Sequence, residues 1–213
     1  MAVQIVLAVA ATGAVVKLTP GPAPLALPKA ATAPSGPLDG TWRVATGSVV
    51  GFRVKETVVG FSNDVTGRTG DVTGTAVVAS AEVSSAAFQV SLGTIKVDGK
   101  TGQPQLVKSL GVTAHPVATV TLTRPVPLPA TFAGGAAASW TAAATLTLNA
   151  TTHPVTVTLS ARRDGTTGTT IEVAGSLPVA FSDFRITGPS GYGFLGSLAN
   201  NGTAEFLLIL RSQ

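Results

Sequence analysis

The chain has 213 residues, 45% hydrophobic, 5% aromatic and 11% charged, with 24 Gly and 14 Pro, so it can bury one large or two small cores and is not a low-complexity chain. The formal charge is +4, but without Lys17 and Lys29 twelve basic residues face ten acidic ones from Leu38 onward and only Arg162 and Arg163 adjoin, which excludes the clustered cations of a nucleic-acid binder. With no Cys, disulfides, thiolate metal sites, a Cys nucleophile and a lipidated N-terminal Cys are excluded.

In chain order, residues 2–16 form an apolar run relieved only by Gln4, Thr12 and Gly13 and closed by Lys17. About fifteen residues suit the hydrophobic region of an export signal better than a full membrane span of about 20. Residues 1–18 are therefore expected to direct export or to anchor the chain at a membrane. Residues 19–37 carry Pro20, Pro22, Pro24, Pro28, Pro34 and Pro37 among Ala, Gly and Ser. Prolines at this density exclude helix and central strand and favour extended polyproline II, which reads as a linker holding a domain off a membrane surface. The folded domain is expected over residues 38–213.

From there the apolar pattern has period two, the mark of half-buried strands. Val50, Phe52 and Val54 fall on one face and Arg53 and Lys55 on the other. The alternation repeats with Val72, Gly74, Ala76 and Val78, with Ala86, Phe88, Val90 and Leu92, and with Ala118, Val120 and Leu122. It continues with Trp140, Ala142, Ala144, Leu146 and Leu148, with Val155, Val157, Leu159 and Ala161, with Ile171, Val173, Gly175, Leu177 and Val179, and with Phe206, Leu208 and Leu210. Turns are expected over residues 67–70, 150–154, 164–165 and 200–202, and a short helix over 105–110. Antiparallel strands in this number close into a barrel or pack as a sandwich. Strands of about nine to eleven residues exceed the usual five or six and suit a barrel. A barrel lined by Ala, Gly and Val is underfilled unless something apolar occupies it or its faces move closer together.

The run Trp42 to Lys55 (WRVATGSVVGFRVK) resembles the opening strands of the YceI-like family. Further blocks follow in the family's order. Val65-Thr66-Gly67 with Val72-Thr73-Gly74 resembles its first hairpin, and Ala114-His115-Pro116-Val117-Ala118-Thr119 its Pro-containing strand start. Leu146 to Val155 (LTLNATTHPV) resembles its late hairpin, and Phe181-Ser182-Asp183-Phe184-Arg185-Ile186 with Gly202-Thr203-Ala204-Glu205-Phe206 its close. The resemblance implies an all-β fold, an extended eight-stranded antiparallel lipocalin-like barrel around an apolar tunnel. It implies carriage or sequestration of a polyisoprenoid, isoprenoid quinone or similar amphiphilic lipid, with no catalytic residues and no cofactor. Members carry an Arg-Asp pair four and three residues before a Leu, and the corresponding places before Leu106 hold Gly102 and Gln103. Asp98, Lys100 and Lys108 are the charged residues nearby.

The apolar phases predict a tunnel lined by Val50, Phe52, Val54, Phe88, Val90, Leu92, Val120, Leu122, Leu146, Leu148, Val157, Leu159, Ile171 and Val173, with almost no titratable group among them. Gating is expected from the irregular residues 98–115 or from the Gly-rich residues 188–196. His115 and His153 each precede Pro and are read as turn positions, and no Gly-x-Ser-x-Gly elbow or metal-ligand spacing accompanies them. Two other function classes use the same pattern. One is a structural or adhesive β-sandwich on a stalk. The other is an outer-membrane barrel, whose aromatic girdles one Tyr and two Trp cannot supply.

Overall fold

The computed structural model describes residues 5–8, 15–18, 21–30, 33–58, 61–97, 108–165, 168–187 and 196–213. Its strands in chain order are β1 (Ile5–Ala8), β2 (Val15–Leu18), β3 (Gly40–Val44), β4 (Val49–Val58), β5 (Phe61–Thr69), β6 (Val72–Ala79), β7 (Glu82–Ser91) and β8 (Lys96–Val97). They continue as β9 (Val117–Leu122), β10 (Val126–Pro127), β11 (Ala138–Leu148), β12 (Thr151–Asp164), β13 (Thr170–Ala180), β14 (Gly196–Leu198) and β15 (Asn201–Ser212). Strands β1 and β2 pair with each other as a separate hairpin.

Eight strands close a ring in the order β13, β12, β11, β9, β7, β6, β3, β15, and β15 returns to β13 along its whole length. Every pairing is antiparallel. The fold is thus an all-β closed barrel, and the sandwich alternative is excluded because the wall strands form one sheet closed on itself through β13 and β15. The ring forks at β15: Leu210 to Ser212 pair with β3, whereas Thr203 to Leu207 pair with β4, which passes the wall on to β5 and β8. Strand β5 escapes the sequence pattern because FSNDVTGRT has little apolar alternation; Val65 is its residue on the cavity wall, and Gly67 lies against the Phe52 ring. The helix expected over residues 105–110 lies mostly outside the described residues, with 108 and 109 helical.

The expected turns are shorter than their sequence signals: residues 67–69 belong to β5 and residues 201–202 to β15. The turn between β11 and β12 is Asn149-Ala150 alone, both in the left-handed region at φ 48° and 56°, and residues 151–154 are already strand. Pro154 is tolerated there because β12 pairs with β13 only from Thr158 onward, so the missing N–H faces no ladder partner. A two-residue turn with both central φ values positive favours Asn-Gly. Ala150→Gly is therefore expected to raise stability by about 1 kcal/mol, read as a higher denaturant midpoint at unchanged slope.

Residues 21–30 have no regular structure and lie against the outer face of the barrel. Arg53 donates to the Pro22 carbonyl at 2.7 Å, Arg68 to that of Ala23, and Arg162 to that of Pro28 at 2.9 Å. The path runs across β5, β4, β15, β13 and β12. Four strand spacings of about 4.8 Å span about 19 Å, which the six steps of polyproline II from Pro22 to Pro28 cover at about 3.1 Å each. A Pro-rich backbone offers acceptors and few donors, so an arginine-bearing face is its natural complement. Beneath this strap Glu205 is buried and joins Arg68 at 2.9 Å and Arg53 at 3.6 Å.

At the edge of the same cluster, Lys55 at 2.7 Å and Arg53 at 3.1 Å hold the Asp64 carboxyl below the usual aspartate range, against an opposing pull from burial. A depressed carboxyl pKa gives stability that is present above its unfolded value and is lost as pH falls through the folded one. Stability is thus expected to decline below about pH 4, and Asp64→Asn should flatten that decline in urea titrations at stepped pH.

Candidate functional site

Period-two alternation turns one face of each wall strand inward, where the side chains surround a cavity of about 800 Å³. All fourteen residues expected to line a tunnel face it, from Val50, Phe52 and Val54 on β4 round to Ile171 and Val173 on β13. The room arises from side-chain size. Ala76, Ala142, Ala144 and Ala161 occupy inward places on β6, β11 and β12 where larger residues would meet across the barrel. Aromatic rings make up part of the wall by lying over glycines of the next strand. A Cβ on Gly67 would fall 2.4 Å from the Phe52 ring, and one on Gly175 would fall 2.6 Å from that of Phe206.

One end of the cavity is closed. Trp42 and Phe132 are buried there; the Trp42 indole donates to the Leu38 carbonyl at 3.0 Å, and Phe132 meets Trp140 edge-on at 5.7 Å. Below them sits Arg163, 2% exposed. Its Nε donates to Gly168 at 2.9 Å, Nη1 to Gly36 at 3.0 Å and Ala133 at 3.3 Å, and Nη2 to Ser35 at 3.0 Å and Pro37 at 2.7 Å. Five backbone carbonyls thus cage the guanidinium. Burial pulls its pKa below the ordinary arginine value, yet the group stays a cation.

At the other end β4 continues the inward phase past Val54 to Glu56, whose neighbours in register are Asn63 on β5 and Leu198 on β14. Glu56 faces the cavity, a titratable group on a lining expected to hold almost none; Glu205 also borders the cavity but pairs with Arg68 and Arg53. The sequence held the signal: Glu56 shares the parity of Val50, Phe52 and Val54. Arg163 likewise shares the parity of Val157, Leu159 and Ala161, so its inward place was also readable.

The histidines take no part in the cavity wall. His115 is exposed in the turn before β9, its N–H bonded to the Gly111 carbonyl at 2.8 Å. His153 lies near the start of β12 with its ring edge-on to Phe184 at 5.3 Å. Among the described residues no cluster of three metal-ligating side chains occurs, and no helix is long and apolar enough to cross a membrane. Of the expected gates, residues 98–107 and 188–195 lie outside the described residues, and with them Asp98, Lys100 and the Gly102 and Gln103 positions; Lys108 is exposed.

A closed antiparallel barrel around an apolar internal cavity defines the lipocalin-like class. Within it, residues 42–206 match the model of the YceI-like domain, and the chain belongs to the YceI-like family. Its fold is similar to that of a polyisoprenoid binding domain from Saccharophagus degradans implicated in plant cell wall breakdown, with TM-score 0.61 and 18% identity over 82% of this chain and 99% of that one. It is also similar to BcnA of Burkholderia cenocepacia, with TM-score 0.58 and 18% identity over 78% of this chain and 98% of that one. A search of curated proteins gives no significant match.

Proposed function

We propose that this protein binds a long apolar lipid, a polyisoprenoid, an isoprenoid quinone or a similar amphiphile, in its barrel cavity, for carriage or sequestration without chemistry. The observation that carries the reading is the cavity itself, about 800 Å³ walled almost wholly by aliphatic and aromatic side chains. An empty cavity of this kind is destabilising, and each methylene brought into it contributes about 0.8 kcal/mol before entropy costs. Membership of the YceI-like family and the likeness to a polyisoprenoid binding domain favour the same class of ligand. Organic extraction of the purified full chain followed by mass spectrometry tests it. A stoichiometric prenyl lipid is the expected result; the absence of any co-purified lipid together with no uptake of an added one would overturn the proposal.

The apolar residues 2–16 support export to an extracytoplasmic place, secreted or held at the membrane. Cell fractionation of the full chain against one lacking residues 1–18 tests that; equal distribution of the two would refute it.

A further inference from the structure

Glu56 is the feature of the cavity that lipid carriage alone does not use. It is half-buried, it faces the cavity, and it sits at the end away from the Arg163 cage. Among the described residues the other acidic residue on the cavity wall is Glu205, which turns its carboxylate outward to Arg68 and Arg53. The neighbouring cations are also engaged elsewhere: Lys55, on the opposite face of β4, reaches Asp64 at 2.7 Å, and Arg53 bonds Asp64 and Pro22. Among the described residues Glu56 has no hydrogen-bond or ion-pair partner.

A carboxylate accepts hydrogen bonds and donates none when ionised. Set among Val54, Val65 and Leu198, it acts through a medium less polar than water, so its sign matters more than that of an exposed charge. A chain threaded toward Arg163 would leave its polar end beside Glu56. There a phosphate or carboxylate meets a like charge, whereas a hydroxyl or an ammonium finds an acceptor.

Resting on the proposed lipid carriage, we infer that Glu56 is a specificity-determining residue that selects lipids whose head group donates a hydrogen bond, a hydroxyl or a protonated amine, and rejects anionic heads. The barrel thereby distinguishes a prenyl alcohol or amine from the corresponding phosphate.

The test is equilibrium binding of three lipids to the purified full chain, all with one isoprenoid chain and ending in a hydroxyl, a primary amine or a monophosphate. Alcohol and amine are expected to bind at least about tenfold more tightly than the phosphate, a difference of ~1.4 kcal/mol. Glu56→Gln should bring the phosphate to within about twofold of the alcohol and lower amine affinity, and Glu56→Lys should make the phosphate the preferred ligand. Phosphate binding as tight as that of the alcohol to the native chain, or discrimination unchanged in Glu56→Gln, would overturn the assignment and leave lipid carriage standing. No binding of any of the three would overturn both. Thermal unfolding of each variant excludes misfolding as the cause, and Glu56→Gln, at a half-exposed position, is expected to unfold as the native chain does.

Discussion

A chain that begins at Leu38 is expected to form the same barrel but to unfold roughly 6–12 °C below the full chain. Every strand of the ring lies beyond residue 38, so the fold survives the truncation. What is lost is the strap. Arg163 loses the carbonyls of Ser35, Gly36 and Pro37, three of its five acceptors, and Arg53, Arg68 and Arg162 lose those of Pro22, Ala23 and Pro28. Hydrogen bonds to a charged group contribute about 1.5–3 kcal/mol each, and water entering the opened end replaces part of that. A net cost on the order of 3 kcal/mol corresponds to the stated shift at about 2–4 °C per kcal/mol for a chain of this size. Arg163→Met should cost a comparable amount in the full chain, because the buried guanidinium is removed and five backbone carbonyls lose their donor. The two changes act through one contact, so their effects should not add: Arg163→Met in the shortened chain should cost clearly less than in the full one. Equal costs in both backgrounds would mean that Arg163 stabilises the barrel independently of the strap.

The strap shows where sequence reading reached its limit. Pro22, Pro24, Pro28, Pro34 and Pro37 specify an extended backbone, because the ring fixes φ and removes the donor. They do not specify where that backbone lies. Its place follows from the outward arginines of β4, β5 and β12, which come together only once β15 has paired with both β4 and β13. A stalk standing off the domain and a strap laid across it have the same composition. The barrel wall was easier to read because its information is local: parity along β4 or β12 assigns each side chain to a face without knowledge of the partner strand. Parity applies to charges as much as to valines, so Glu56 and Arg163 were as legible as Phe52 and Leu159. What masks the signal is that charged residues at strand ends are usually solvated. Closure of the sheet was not local. It depends on β15 returning to β13 through eleven paired positions, and no single strand carries that.

A lysine on the inner face should abolish lipid uptake where a lysine one residue away does not. Leu159 faces the cavity from the middle of β12, paired with Trp140 and Gly175, whereas Thr158 is exposed on the outer face. An ammonium at residue 159 must keep its hydration, which a bound hydrocarbon chain would strip away, so affinity is expected to fall at least about a hundredfold, ~2.7 kcal/mol. At residue 158 the same charge stays in water and affinity should change by less than about twofold. Leu146→Lys and Thr147→Lys make a second pair on β11. Leu146 is buried, however, so part of its effect is lost stability, which thermal unfolding separates from lost binding. Leu159→Met keeps volume and apolarity and should bind normally. This contrast requires the ligand to lie along β12 inside the barrel. If lysines at 158 and 159 weaken uptake equally while both proteins remain folded, the lipid sits on the outer surface, and the cavity is not its site.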